Sequence, residues 1–161
     1  MARLLQVFFP PKIEEVEYIP LPEIKMKTNA EKFIEVCLNA LDTEVTPQDN
    51  IPDYVACAEV ISTLIKKVFP DFPMISSTKD LDMKLFMDKR FQRITEPERG
   101  VVVISPRTIN VNGHVGTFIT SEKIASNTSK DGIFRGNYLW NEWIREFKDR
   151  RGLKIYLYKL L

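Results

Sequence analysis

The chain has 161 residues, of which 44% are hydrophobic and 28% charged, and both values are typical of one soluble globular domain. Lys and Arg number 23 and Asp and Glu 22, so the charge balance argues against an electrostatic binder of nucleic acid or of an anionic membrane. One histidine and two cysteines exclude a disulfide-rich scaffold and are a poor supply of zinc ligands. We therefore expect no metal and no cofactor.

Residues 1–28 contain four prolines and indicate an extended N-terminal arm, because proline fixes φ and removes a backbone donor. The short apolar stretch before Pro10 is followed by acidic residues, which is not the pattern of a signal peptide. No apolar run reaches the roughly 18 residues of a membrane helix. We expect a protein made in the cytoplasm without a conventional export signal, with one domain over residues 29–161.

Helical spacing dominates the first half of this domain. Asn29 is the expected N-cap of a first helix. A second helix is predicted to run from its N-cap Asp53 to about Val68, and a short third helix is predicted over 79–89.

After about residue 91 the apolar pattern changes to alternation. The predicted elements are a buried strand over 101–104, a tight turn at 112–113, strands over 115–119 and 122–127, an amphipathic helix over 140–147 and a last strand over 153–160. Helices that precede most of the strands predict an α+β fold, with a small antiparallel sheet covered by helices.

The two cysteines differ in their surroundings. Cys37 lies on the apolar stripe of the first helix and is expected to be a small buried hydrophobe. Cys57 is expected in the first turn of the second helix, where free amide donors and a partial positive charge favour the thiolate. These groups are expected to lower the pKa of Cys57 and to make it nucleophilic.

His114 is the only histidine, and it stands where a predicted turn leads into a strand. An imidazole is the side chain best suited to general acid–base chemistry near neutral pH. A cysteine at a helix start and a histidine at the head of a later strand form the pattern used for acyl transfer. Ser126 and Asn127 are the candidates to orient the ring, and we expect Asn127 because its amide reaches further.

The sequence resembles the phage-type NlpC-like and CHAP-like cysteine peptidoglycan hydrolases over roughly residues 44–160. The segments that carry the resemblance are 46–60 around Cys57, 102–106, 112–116 around His114, 124–129, Asn137-Tyr138 and Trp143. The resemblance implies a papain-like fold, with Cys57 as nucleophile, His114 as base and Asn127 as the third residue. It also implies a phage-encoded protein that acts at the cell wall as an endopeptidase or amidase. The bond cleaved would be an amide of peptidoglycan, either in the stem peptide or at the junction of the peptide with the sugar.

Two other functions remain open at this point. The third position of NlpC-type enzymes often holds a second histidine, which this chain lacks. A non-catalytic binding or virion structural protein on the same fold is therefore one alternative. An intracellular cysteine peptidase or acyltransferase with a substrate outside the wall is the other.

Overall fold

An antiparallel sheet forms the centre of the protein, and helices pack on both of its faces. The structure is a computed structural model that describes residues 26–45 and 56–161. Most of the predicted arm and the predicted N-cap Asp53 lie outside these residues. The described helices are α1 (Asn29–Asn39), α2 (Cys57–Lys66), α3 (Thr78–Met87) and α4 (Trp140–Trp143), which continues as a π-helix over Ile144–Arg150. The described strands are β1 (Thr43–Glu44), β2 (Phe91–Ile94), β3 (Val102–Ser105), β4 (His114–Phe118), β5 (Lys123–Asn127), β6 (Ile133–Leu139) and β7 (Tyr156–Leu160).

The strands lie in the order β1-β6-β5-β4-β3-β7-β2, and each pairs antiparallel with its neighbours. Strands β3 to β6 follow one another in the sheet as they do along the chain. The last strand, β7, lies between β3 and β2. In this arrangement the start of β4 and the end of β5 share one end of the sheet.

Alternation along the strands divides the core into two layers. Val102 and Ile104 of β3 face α1, α2 and α3, and Val101 and Val103 face the other way. The second layer contains Trp143, together with Phe147 of the π-helix. The sheet is therefore buried on both faces, which agrees with the predicted α+β class.

The start of the first helix differs from the prediction. The N-cap of α1 is Thr28 and not Asn29, because Thr28 and Glu31 bond reciprocally to each other's backbone N–H. Within the described residues, helix α2 begins at Cys57 after the N-cap Ala56. The helices predicted over 79–89 and 140–147 are confirmed as α3 and as α4 with its π-helical continuation.

The predicted tight turn at Asn112-Gly113 is wrong. Strands β3 and β4 are joined by the longer connection 106–113, and Gly113 is needed for a close approach of the backbone. A Cβ atom there would clash with the Ser105 carbonyl oxygen and with the Arg107 backbone nitrogen. The strands predicted around 101–104, 115–119, 122–127 and 153–160 are confirmed, whereas β1, β2 and β6 are not among the predicted strands.

Candidate active site

A cavity of about 370 Å³ opens at the end of the sheet where β4 begins and β5 ends. The structure brings three residues predicted from the sequence to this cavity, namely Cys57, His114 and Asn127. The other lining residues come from the connection before β4, the turn after β5, strand β6 and the π-helix with its end: Asn112, Gly113, Thr128, Ser129, Lys130, Asn137, Tyr138, Phe147 and Arg151.

Cys57 is the first residue of α2, which packs against β4 and β5. The N-cap Ala56 provides no side-chain cap, and the first helical bond joins the Val60 N–H to the Ala56 carbonyl at 2.9 Å. The amides of Cys57 and Ala58 precede that bond, so they have no partner within the helix. The thiol is 7% exposed and therefore lies at the edge of the buried core, beside amide donors.

The acidity predicted for Cys57 is wrong. Burial raises the pKa of its thiol to about 11, although the backbone N–H groups of Val115, Ala58 and Cys57 itself act in the opposite direction. Removing the thiolate from water costs more free energy than hydrogen bonds from these few donors recover. At neutral pH Cys57 is therefore a thiol.

The His114 ring is held among aromatic side chains on the face of the sheet that carries α4. Its centroid lies 5.4 Å from that of Trp143 and 5.5 Å from that of Phe147, with the rings close to parallel, and 5.9 Å from that of Tyr138. The Trp143 Nε1–H donates to Ser105 Oγ at 3.1 Å, which fixes the indole. Burial and the charge of Arg151 lower the pKa of His114 to about 4, so the imidazole is neutral at pH 7.

Ser126, and not Asn127, is the hydrogen-bond partner of the His114 ring. Ser126 Oγ lies 2.9 Å from His114 Nε2 and donates its only hydrogen to Asn137 Oδ1 at 2.8 Å. The hydroxyl must therefore accept a hydrogen from Nε2. This places the proton on Nε2 and leaves a lone pair on Nδ1.

The strand register explains why Asn127 does not take this position. Ser126 is opposite Gly116, on the same face as His114, and alternation turns Asn127 to the face that carries α2. Asn127 is 2% exposed and lines the cavity from that side. Cys57 belongs to the core layer on the α2 face and His114 stacks on rings of the opposite layer, so the two residues line the cavity from opposite faces of the sheet.

Asn137 is a residue of the site that the sequence did not predict. The pairing of β5 with β6 shifts by one residue, since Ala125 pairs with Gly136 and Ile124 with Tyr138. A bulge of this kind lets two consecutive side chains reach the site, so that Asn137 contacts Ser126 and Tyr138 contacts the His114 ring. The sequence contains Asn137-Tyr138 within the family resemblance but no pattern that predicts the bulge.

The remaining predicted features are placed as follows. Cys37 is fully buried in α1 as predicted, and burial raises the pKa of its thiol. In residues 26–45 and 56–161 no group of His, Cys, Asp and Glu is arranged to hold a metal ion. Within the same ranges no helix combines the length and the apolar character needed to cross a bilayer.

Comparison with known proteins gives a likeness of fold. No protein-family model matches the sequence, and no curated protein matches it either. Among solved structures, the chain is similar to Tae3 in the type VI native effector–immunity complex Tae3–Tai3 from Ralstonia pickettii. The TM-score is 0.54, with 14% identity over 84% of this chain and 100% of that chain. This likeness agrees with the α+β papain-like fold that the sequence predicts.

Proposed function

We propose that this protein is a cysteine hydrolase that cleaves an amide bond in the peptide part of peptidoglycan. The observation that carries the proposal is the single cavity shared by the Cys57 thiol and the His114 ring. The fold that the chain shares with a type VI effector agrees with an amidase-like activity at the level of the fold.

In the proposed reaction the Cys57 sulfur attacks the amide carbonyl carbon while its proton passes to His114 Nδ1. The pKa values of about 11 for Cys57 and about 4 for His114 describe a neutral thiol and a neutral imidazole at rest, so in this scheme the proton leaves the sulfur as the carbon–sulfur bond forms. The N–H groups of Cys57 and Ala58, which have no partner within the helix, are the proposed donors to the developing oxyanion.

The second half of the reaction returns the proton. The imidazolium gives it to the leaving amine, the carbon–nitrogen bond breaks, and a thioester to Cys57 remains. His114 then removes a proton from water, which attacks the thioester and releases the acid and the thiol. In this scheme the Nε2–H to Ser126 bond leaves the Nδ1 lone pair as the proton acceptor, and Ser126 and Asn137 are positioning residues.

Digestion of purified peptidoglycan, followed by mass analysis of the soluble fragments, tests the proposal. The wild-type protein should release fragments with one new amine and one new carboxyl group. Cys57→Ala should release none, whereas the matched variant Cys37→Ala should release the same fragments in proportion to its folded fraction.

Two results would overturn the proposal. A folded wild-type protein that releases nothing from the wall, and whose Cys57 forms no thioester with an activated peptide ester, would be the non-catalytic binding protein. Thioester formation without release of wall fragments would indicate a peptidase or acyltransferase with another substrate.

A further inference from the structure

Among the described residues, the charges that line the cavity are all positive. Arg151 and Lys130 are the two charged side chains of this lining, and none of the Asp and Glu residues of 26–45 and 56–161 belongs to it. The chain as a whole is nearly neutral, with a net charge of +1, so this local excess is not a property of the whole surface. A cleft of one sign attracts a ligand of the opposite sign.

Arg151 is held in one orientation by several contacts. Its Nε donates to Glu146 Oε1 at 2.8 Å, its Nη2 lies 2.6 Å from the same oxygen, and its Nη1 donates to the Asn112 carbonyl at 3.3 Å. The guanidinium lies 5.0 Å from the centroid of the Phe147 ring. A guanidinium has five N–H donors, so donors remain for a further acceptor.

Glu146 does not neutralise this part of the cleft. Its Oε1 is shared between Arg151 and Arg150, so one carboxylate faces two guanidinium groups. The three side chains together carry one net positive charge.

Lys130 supplies the second charge, from the turn between β5 and β6. It is exposed and forms no ion pair with any residue in the described ranges. The adjacent carboxylate, Asp131, is engaged by Arg135 at 2.9 Å and by the Thr128 hydroxyl. Within 26–45 and 56–161, no carboxylate therefore pairs with the ammonium group of Lys130 at the cavity wall.

We propose that Arg151 and Lys130 form a carboxylate-binding subsite beside Cys57, so that the cleft takes a peptide with a free carboxylate close to the amide that is cleaved. The inference rests on the proposed function and adds the substrate class. A guanidinium matches a carboxylate with two parallel hydrogen bonds, whereas a carboxamide offers a single acceptor oxygen and no charge.

Two synthetic stem peptides test the subsite, identical except that the group next to the scissile amide is a carboxylic acid in one and a carboxamide in the other. The wild-type kcat/KM should be about ten-fold or more higher for the acid, through a lower KM. Arg151→Gln and Lys130→Gln should each reduce this preference. Arg145→Gln and Lys32→Gln, at exposed positions outside the cavity, are the matched controls and should keep it.

Binding to the Cys57→Ala variant separates the subsite from catalysis. Calorimetry should give a Kd about ten-fold or more lower for the acid than for the carboxamide, and adding Arg151→Gln should remove the difference. Arg151→Lys keeps the charge but loses the planar fork, so it should recover part of the preference.

Equal Kd values for the two peptides would overturn the subsite even if the wild type hydrolyses both. A preference for the acid that persists in Arg151→Gln and Lys130→Gln would also overturn it. If the acid binds more tightly but is never cleaved, the subsite holds and the proposed hydrolysis fails.

Discussion

Ser126 accepts a hydrogen bond from His114 Nε2 across 2.9 Å and passes its own hydrogen to Asn137. The two bonds run in one direction, which selects the Nε2–H tautomer of the only histidine in the chain. The nitrogen that remains basic is Nδ1. In the proposed mechanism the neutral amide of Asn137 therefore does what a carboxylate does in many acyl-transfer sites, which is to set the tautomer of the histidine.

Ser126→Ala should lower kcat by about ten-fold or more, roughly the 1.4 kcal/mol of one positioning hydrogen bond, while Cys57 remains reactive towards an activated ester. The ring of His114 would then be free to take the other tautomer. Nitrogen chemical shifts of the single histidine report this change directly. If the shifts and kcat are both those of the wild type, Ser126 does not position the ring.

Substitutions of Asn137 test the direction in which the hydrogen bonds among His114, Ser126 and Asn137 are donated. Asn137→Asp keeps an acceptor for the Ser126 hydroxyl and should keep the Nε2–H tautomer, as judged by nitrogen chemical shifts. Asn137→Ala frees the hydroxyl to donate to Nε2, so the proton should move to Nδ1 and kcat should fall. Equal tautomer populations in the two variants would contradict this role.

Alkylation of Cys57 should be slow at neutral pH. With a pKa of about 11 instead of the ordinary value of 9.0, the thiolate population at pH 7 is about 100-fold below that of a free thiol. In a Cys37→Ala background the rate should rise about ten-fold per pH unit through pH 9, and the unfolded protein provides the free-thiol control. Rapid alkylation at pH 6 would instead indicate a thiolate–imidazolium pair.

The stability of the protein should fall as the pH drops below about 6.5. His114 has a pKa of about 4 in the folded state and an ordinary value of 6.5, so the unfolded chain binds the proton first. The contribution of the neutral His114 to the free energy of unfolding is fully present above pH 6.5, and about 2 kcal/mol of it is lost by pH 5. Denaturant unfolding between pH 4 and 7 measures this effect. The free energy of unfolding should change less steeply with pH in His114→Gln than in the wild type.

Arg151 should contribute to the same depression of the His114 pKa, after the larger effect of burial. Arg151→Gln should therefore move the pKa of His114 upward, towards the ordinary value, in an NMR titration that follows this one imidazole. Arg145→Gln, at an exposed position outside the cavity, is the matched control. A pKa unchanged in Arg151→Gln would mean that burial alone sets it.

Local patterns in the sequence were sufficient for most of the fold. Apolar spacing of 3.6 predicts α1, α2 and α3, and alternation predicts β4 and β5, because each pattern is written in neighbouring residues. The same local reasoning correctly put Cys57 at a helix start and His114 at the head of a strand. Strand β6 was missed because its polar residues and Gly136 hide the alternation.

The tertiary structure decided which side chains of the site are in contact and what their protonation states are. The orientation of Ser126 towards His114 depends on the register of β5 against β4, and that of Asn137 on the bulge in β6, which are set by long-range pairing. The pKa of Cys57 depends on the layers packed over the start of α2, where burial outweighs the helix amides. A sequence states which residues are available, but register and desolvation arise only when distant segments pack against one another.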